Sequence, residues 1–175
     1  MSRFCYYFKI ITNFCYVVIA RILHLGLRIS FIQLWGQYLD IKIKNKGKVV
    51  IGRRLQTRTN IHLMVDNGFL KIQDNVFMNH NVSITSVDKI EIESNVTIAN
   101  NVVIIDHDHD LHNKNGFISA PILIKEGTWI GANAVILKGV TLGTNSVVAA
   151  GSVVIKSVPD NTIVGGIPAR FIKNI

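Results

Sequence analysis

The chain has 175 residues, 49% hydrophobic and 17% charged, a length that fits one domain and a composition too apolar and too weakly charged for a disordered segment. Its net charge of +8 is unevenly placed: residues 1–60 hold 11 Lys or Arg against the single acid Asp40, whereas residues 61–175 hold 8 bases against 10 acids. That asymmetry argues against a basic domain tracking nucleic-acid phosphates over its whole surface, and favours a local contact between the N-terminal third and an anionic partner such as a membrane face.

Residues 4–36 read as one or two amphipathic helices, with Arg21, His24 and Arg28 spaced to share a face. Lys9, Thr12, Asn13, Arg21 and Arg28 interrupt the apolar stretch before it reaches the eighteen or so residues of a membrane span. Lys9 and the apolar run from Ile10 to Ala20 imitate a signal peptide, but Arg21 and further apolar chain follow the would-be cleavage point. Cys5 and Cys15 would lie roughly 15 Å apart on a helix, beyond disulfide reach. These features predict a reducing, cytoplasmic setting, with a helix that either caps the following repeat or touches the inner membrane face.

From there the chain repeats itself. Aliphatic residues recur every six positions at Ile72, Met78 and Ile84, at Ile92, Ile98 and Ile104, and without a slip at Ile124, Ile130, Ile136, Leu142, Val148 and Val154. Four residues after most of them comes a small or β-branched residue, as at Val76, Val82, Val96, Val102, Ala134, Val140, Ser146 and Ser152. Ile51, Thr57 and Leu63 suggest one earlier coil beginning near Lys48. A six-residue unit cannot bury its aliphatic side chain alone, but stacked copies form a continuous column, with Asn and Gly turning the corners. The pattern predicts an all-β fold resembling the left-handed parallel β-helix, with residues 1–47 as a helical and connecting segment and 48–175 as the solenoid. A β-sandwich would not hold one register from Ile124 to Val154.

Two breaks interrupt the register. The step from Ile84 to Ile92 carries 2 extra residues and that from Ile104 to Ile124 carries 14, both at the same corner of the prism, one coil apart. The longer break is an exposed loop on a rigid scaffold, where function tends to sit, and it contains Asp106-His107-Asp108-His109-Asp110-Leu111-His112.

This histidine loop, Gly127-Thr128-Trp129-Ile130-Gly131, the run from Ala150 to Lys156, and the closing Gly165-Gly166-Ile167-Pro168-Ala169-Arg170 resemble the hexapeptide-repeat sugar O-acetyltransferases of the galactoside, maltose, nodulation-factor and colanic-acid type, over about residues 48–175. The resemblance implies an acetyl-CoA-dependent transferase, usually a homotrimer with active sites between prisms, acting on a sugar or on a lipopolysaccharide or capsule precursor. Carried over in register, the family's catalytic histidine falls on His109, five residues after Ile104; aligned backward from Asn115-Gly116 it falls on His107. Register is the stiffer guide and favours His109. Either imidazole would take a proton from the acceptor hydroxyl as that oxygen attacks the thioester, with Asp106, Asp108 or Asp110 as the carboxylate that fixes its tautomer. The family's acceptor-binding positions match Asn79 and, one position out of register, Asp88, with Trp129 beside the site. Ala132 stands where the galactoside enzyme has Ser, so only its backbone N–H is left for the oxyanion. Ala150, Ile155, Lys156 and Lys173 match coenzyme A contacts.

Two other readings compete. Three histidines, His107, His109 and His112, are enough imidazole for a γ-class carbonic anhydrase, but that fold draws its ligands from separate coils and subunits. A non-catalytic glycan-binding β-helix would not need the histidine loop. Serine acetyltransferase would require a large N-terminal helical domain.

Overall fold

The computed structural model describes residues 3–23, 26–36, 39–112 and 116–175, with side chains from Ile11 onward apart from Leu23. His24, Asn115 and the side chain of Cys5 lie outside the described residues, and Cys15 is a free, exposed thiol.

Each hexapeptide contributes a strand two to six residues long that pairs in parallel with its equivalents one coil away, giving three walls around one apolar column. The first wall stacks β1 (Leu27–Ile29), β3 (Lys48–Ile51), β6 (Phe69–Ile72), β9 (Lys89–Ile92), β14 (Ile122–Ile124) and β17 (Thr141–Leu142). The second stacks β4 (Gln56–Thr57), β7 (Phe77–Met78), β10 (Thr97–Ile98), β15 (Trp129–Ile130), β18 (Val147–Val148) and β20 (Thr162–Gly166). The third stacks β2 (Leu39–Lys44), β5 (Ile61–Asp66), β8 (Ser83–Ser86), β11 (Val103–Ile105), β16 (Val135–Ile136) and β19 (Val153–Val154). The result is a parallel β-solenoid of about six turns.

The six-residue register is the pairing register. Ile51, Ile72, Ile92, Ile124 and Leu142 sit one above another, as do Ile84, Ile104, Ile136 and Val154. All are buried, and each contributes roughly 1.5–3 kcal/mol of transfer free energy. Corners are turned by Asn67, Asn75, Asn81, Asn95, Asn101, Asn133 and Asn145 at φ between 55° and 62°, a left-handed conformation that Asn tolerates better than most residues. At the second-to-third corner Asn60, Asn81, Asn101 and Asn133 form a side-chain ladder with amide contacts of 2.9–3.0 Å.

The solenoid begins earlier than Lys48. β1 pairs in parallel with β3, β2 pairs with β5 along six residues, and Leu34 bridges Gln56, so a further coil extends back to Leu27. The coil keeps the six-residue step at Ile29, Trp35 and Ile41, but an aromatic ring stands in the column and polar Gln33 takes the second interior position, where the next coil has Leu55. Gln33 is fully buried, donates to the carbonyls of Ser30 and Gly52 at 2.8 and 2.7 Å, and accepts the Leu55 N–H at 3.0 Å. The preceding helix is likewise single and shorter than 4–36: α1 spans Arg3–Leu23, and Arg28 belongs to β1. Val17 and Ala20 of α1 are buried, Asn13 donates to the Gln33 carbonyl at 3.2 Å, and Tyr16 meets Trp35 edge-on at 5.5 Å. Among the described residues no helix is long and apolar enough to cross a membrane.

Coil lengths read from Ile51, Ile72, Ile92, Ile124 and Leu142 are 21, 20, 32 and 18 residues. Every extra residue lies at the third-to-first corner, where the longest insertion forms an antiparallel ribbon of β12 (His107–His109) and β13 (Phe117–Ser119). At the far end β21 (Ala169–Asn174) returns antiparallel to β20.

Candidate active site

The histidine ribbon is rooted in one buried carboxylate. Asp106, immediately after β11, is fully buried. One oxygen accepts the Val87 N–H at 2.9 Å and meets His107 Nδ1 at 3.0 Å; the other accepts the Ser86 hydroxyl at 2.7 Å and the Asp88 N–H at 3.0 Å. With two partners on each oxygen the carboxylate acts as an acceptor throughout, so His107 donates to it from Nδ1. Of the three carboxylates in the loop, geometry therefore gives Asp106 to His107. Asp108 instead pairs with Lys138, and Asp110 accepts the His112 N–H at 2.9 Å.

Alternation along β12 puts His107 and His109 on one face and Asp108 on the other. Both imidazoles lie against Phe117, with ring centroids 4.8 and 5.1 Å away. The ribbon is pinned by Ala120 N–H to the Asp106 carbonyl at 3.0 Å, Gly139 N–H to the Ala120 carbonyl at 3.1 Å, and Asp110 N–H to the Gly116 carbonyl at 2.9 Å. The two histidines differ in access. His107 is only 8% exposed, whereas His109 is exposed and lines a cleft of about 430 Å³ with Asp108, Leu111, His112 and Ile118. Among the described residues no three His, Cys, Asp or Glu side chains converge as a metal site.

The remaining candidates fall into two groups at different corners. Asp88 lies beneath the ribbon, tied to Asp106, while Ile155 and Lys156 follow β19 at the same third-to-first corner. Lys156, Thr162, Arg170 and Phe171 line a cleft of about 410 Å³ there. Asn79, Ala132 and Ala150 occupy the second-to-third corner, after β7, β15 and β18 respectively, with Trp129 half exposed on the adjoining wall and Lys173 on β21. Within one chain, Asn79 and Ala132 are thus separated from the histidines by the third wall. Gly131 belongs to this second group: a Cβ there would come within 2.6 Å of the Ala150 nitrogen and 2.8 Å of the Val148 carbonyl oxygen. Phe117, Lys138 and Ser86, which position the ribbon, carried no signal in the sequence because each reaches it from outside the histidine cluster.

The bacterial transferase hexapeptide model, six repeats long, matches residues 121–156. The crystal structure of a hexapeptide-repeat-containing acetyltransferase from Vibrio cholerae, complexed with acetyl coenzyme A, is 31% identical; the match covers 81% of this chain and 70% of that one, with a TM-score of 0.57. The chain belongs to the hexapeptide-repeat acetyltransferases. Two relatives from Escherichia coli illustrate the range of this family. A putative lipopolysaccharide biosynthesis O-acetyl transferase is 28% identical over 145 residues, 75% of this chain and 74% of its own length. A galactoside O-acetyltransferase is 41% identical over 110 residues, 61% of this chain and 54% of its own, so the match spans about half of that enzyme.

Proposed function

We propose that this chain is an acetyl-CoA-dependent O-acetyltransferase acting on a hydroxyl of a sugar or of a lipopolysaccharide or capsule precursor, with His109 as the general base. The acyltransferase class and its donor follow from family membership. The observation that carries the choice of base is the difference in access: His109 stands exposed at the edge of the ribbon cleft, while His107 is packed behind it and engaged by Asp106.

In this reading His109 removes the proton from the acceptor hydroxyl, and the oxygen attacks the thioester carbonyl to give a tetrahedral oxyanion. Ala132 N–H, which makes no backbone hydrogen bond among the described residues, is the donor assigned to that oxyanion. Collapse breaks the C–S bond, and the imidazolium returns the proton to the departing thiolate, leaving the O-acetyl product and free coenzyme A. The Asp106–His107 pair holds the ribbon through Phe117. Lys156 and Lys173 are assigned to the phosphates of coenzyme A, with Ala150 and Ile155 along its pantetheine arm, and Asn79, Asp88 and Trp129 to the acceptor side.

The separation of the two groups by a whole wall motivates a homotrimer, in which the histidine corner of one protomer faces the Ala132 corner of its neighbour. Light scattering that finds an active monomer would remove this part of the reading. The catalytic assignment is tested by thiol release from acetyl-CoA across a panel of simple sugars, lipopolysaccharide and capsule precursors. His109→Ala should lower kcat by about 10² to 10⁴ with little change in acetyl-CoA affinity, and His107→Ala should cost much less. The reverse order would transfer the base to His107. Full activity in both variants would reject histidine catalysis.

A further inference from the structure

The helix α1 has an apolar face that the solenoid does not use. Its contact with the rest of the protein runs along Asn13, Tyr16, Val17 and Ala20, with Phe14 meeting Phe31 at 5.3 Å on one edge. At 100° per residue the opposite line is Ile11, Cys15, Val18 and Ile22, flanked by Phe14 and Ile19. All six are exposed; Ile11, Ile19 and Ile22 are 63%, 56% and 73% accessible. A helix on the surface of a water-soluble protein carries charged and polar residues on its outer face. Between Ile10 and Ile22 this one has a single charged residue, Arg21. Phe31 and Ile32, both about two-fifths exposed, extend the apolar area beyond the helix, and Arg21 lies over the Phe31 ring at 4.4 Å.

The surroundings of this face are basic. Arg28 is on β1, which packs against α1, and Lys48 is on the neighbouring strand; the two line a cavity of about 370 Å³ with Gly26, Val50 and Phe69. Residues 1–60 hold 11 Lys or Arg and one acid. A second copy of this chain placed on the face would bring like charges together. A surface that is apolar at its centre and cationic at its border, on a helix that does not qualify as a membrane span, matches the interface of an anionic bilayer.

We propose that the outer face of α1, bordered by Arg21, Arg28 and Lys48, is a membrane-docking surface that seats the protein on anionic lipid with the helix lying in the plane of the bilayer. Ile11, Val18 and Ile22 enter the headgroup and acyl boundary, while the basic side chains meet lipid phosphates. This inference does not depend on the acyltransferase chemistry.

The test is co-sedimentation of the full chain with vesicles of phosphatidylcholine, alone or mixed with phosphatidylglycerol. The protein should pellet with the mixed vesicles, poorly with the neutral ones, and less as salt rises. A double substitution Ile11→Glu with Ile22→Glu and a separate pair Arg28→Glu with Lys48→Glu should each lower partitioning at least about 10-fold, with the far-UV circular dichroism unchanged. Should the first pair fail to fold, the second pair and the salt series decide. Failure of the full chain to pellet with phosphatidylglycerol, or equal binding by the charge-reversed protein, would overturn the proposal. A solution mass that falls on Ile11→Glu with Ile22→Glu in the absence of lipid would also overturn it, by assigning the face to another copy.

Discussion

Replacing Asp106 by Ala tests whether one carboxylate organises the histidine corner. The carboxylate receives two backbone N–H groups, of Val87 and Asp88, one hydroxyl and one imidazole, and it is fully buried. In the Ala variant the Ser86 hydroxyl has an alternative acceptor, the Phe69 carbonyl at 3.4 Å, but the two backbone N–H groups are held by the corner and cannot turn away. Both bonds are only part-buried and water can replace the lost acceptor, so each is worth nearer the net value of a hydrogen bond, about 0.5–1.5 kcal/mol, and the pair predicts a loss of about 1–3 kcal/mol in unfolding free energy. Asp106→Asn keeps one acceptor oxygen and should lose roughly half as much. Urea unfolding at a single protein concentration measures both, and acetyl transfer at saturating acetyl-CoA reports whether the loosened ribbon still presents His109. An Asp106→Ala protein within about 0.5 kcal/mol of the parent would refute the claim that these bonds hold the corner.

Three other outcomes follow from the structure. Gly131→Ala pushes a methyl group toward the Ala150 nitrogen and Val148 carbonyl oxygen; it should cost about 1–3 kcal/mol in stability and raise the KM for acetyl-CoA in steady-state assays. Ile98→Ala opens a cavity between Met78 and Ile130 and should destabilise by about 2–5 kcal/mol in denaturant melts. The backbone N–H of Arg53, and then its guanidinium, hold the Asp74 carboxyl below the usual carboxylate range. That contribution is present above about pH 4 and is lost as pH falls through the lowered folded value. Because the pair is partly exposed it amounts to no more than about 1 kcal/mol, and comparing acid unfolding of the parent with Asp74→Asn measures it.

The register from Ile72 to Val154 was legible because a solenoid uses the same interior position in every coil, so periodicity in sequence is periodicity in space. The corner Asn residues were legible for a related reason, since their left-handed φ values select a residue type. The first coil was less legible, although Ile29, Trp35 and Ile41 keep the six-residue step: a tryptophan stands in the column, and Gln33 fills the second interior position through bonds to Ser30, Gly52 and Leu55, partners that no local pattern announces. The ribbon shows the same limit. Six residues containing three histidines mark a site, but the pairing of His107 with Asp106 and of Asp108 with Lys138 depends on how β12 twists out of the corner. The family resemblance placed Asn79 and the histidines in one functional list; the prism places them at separate corners.

All departures from an 18-residue coil are confined to the third-to-first corner, and the strands on either side remain paired in the same register. Loop-closure entropy rises only slowly with length, so this corner is a place where the chain can be lengthened or shortened without disturbing the load carried by the walls. The rest of each coil has no such freedom, because one added residue would turn every following aliphatic side chain outward. The scaffold therefore has a defined port for variation: ribbons of different length exchanged between Ile105 and Ile122 should change the surface around the histidines while leaving the column from Ile51 to Leu142 unchanged.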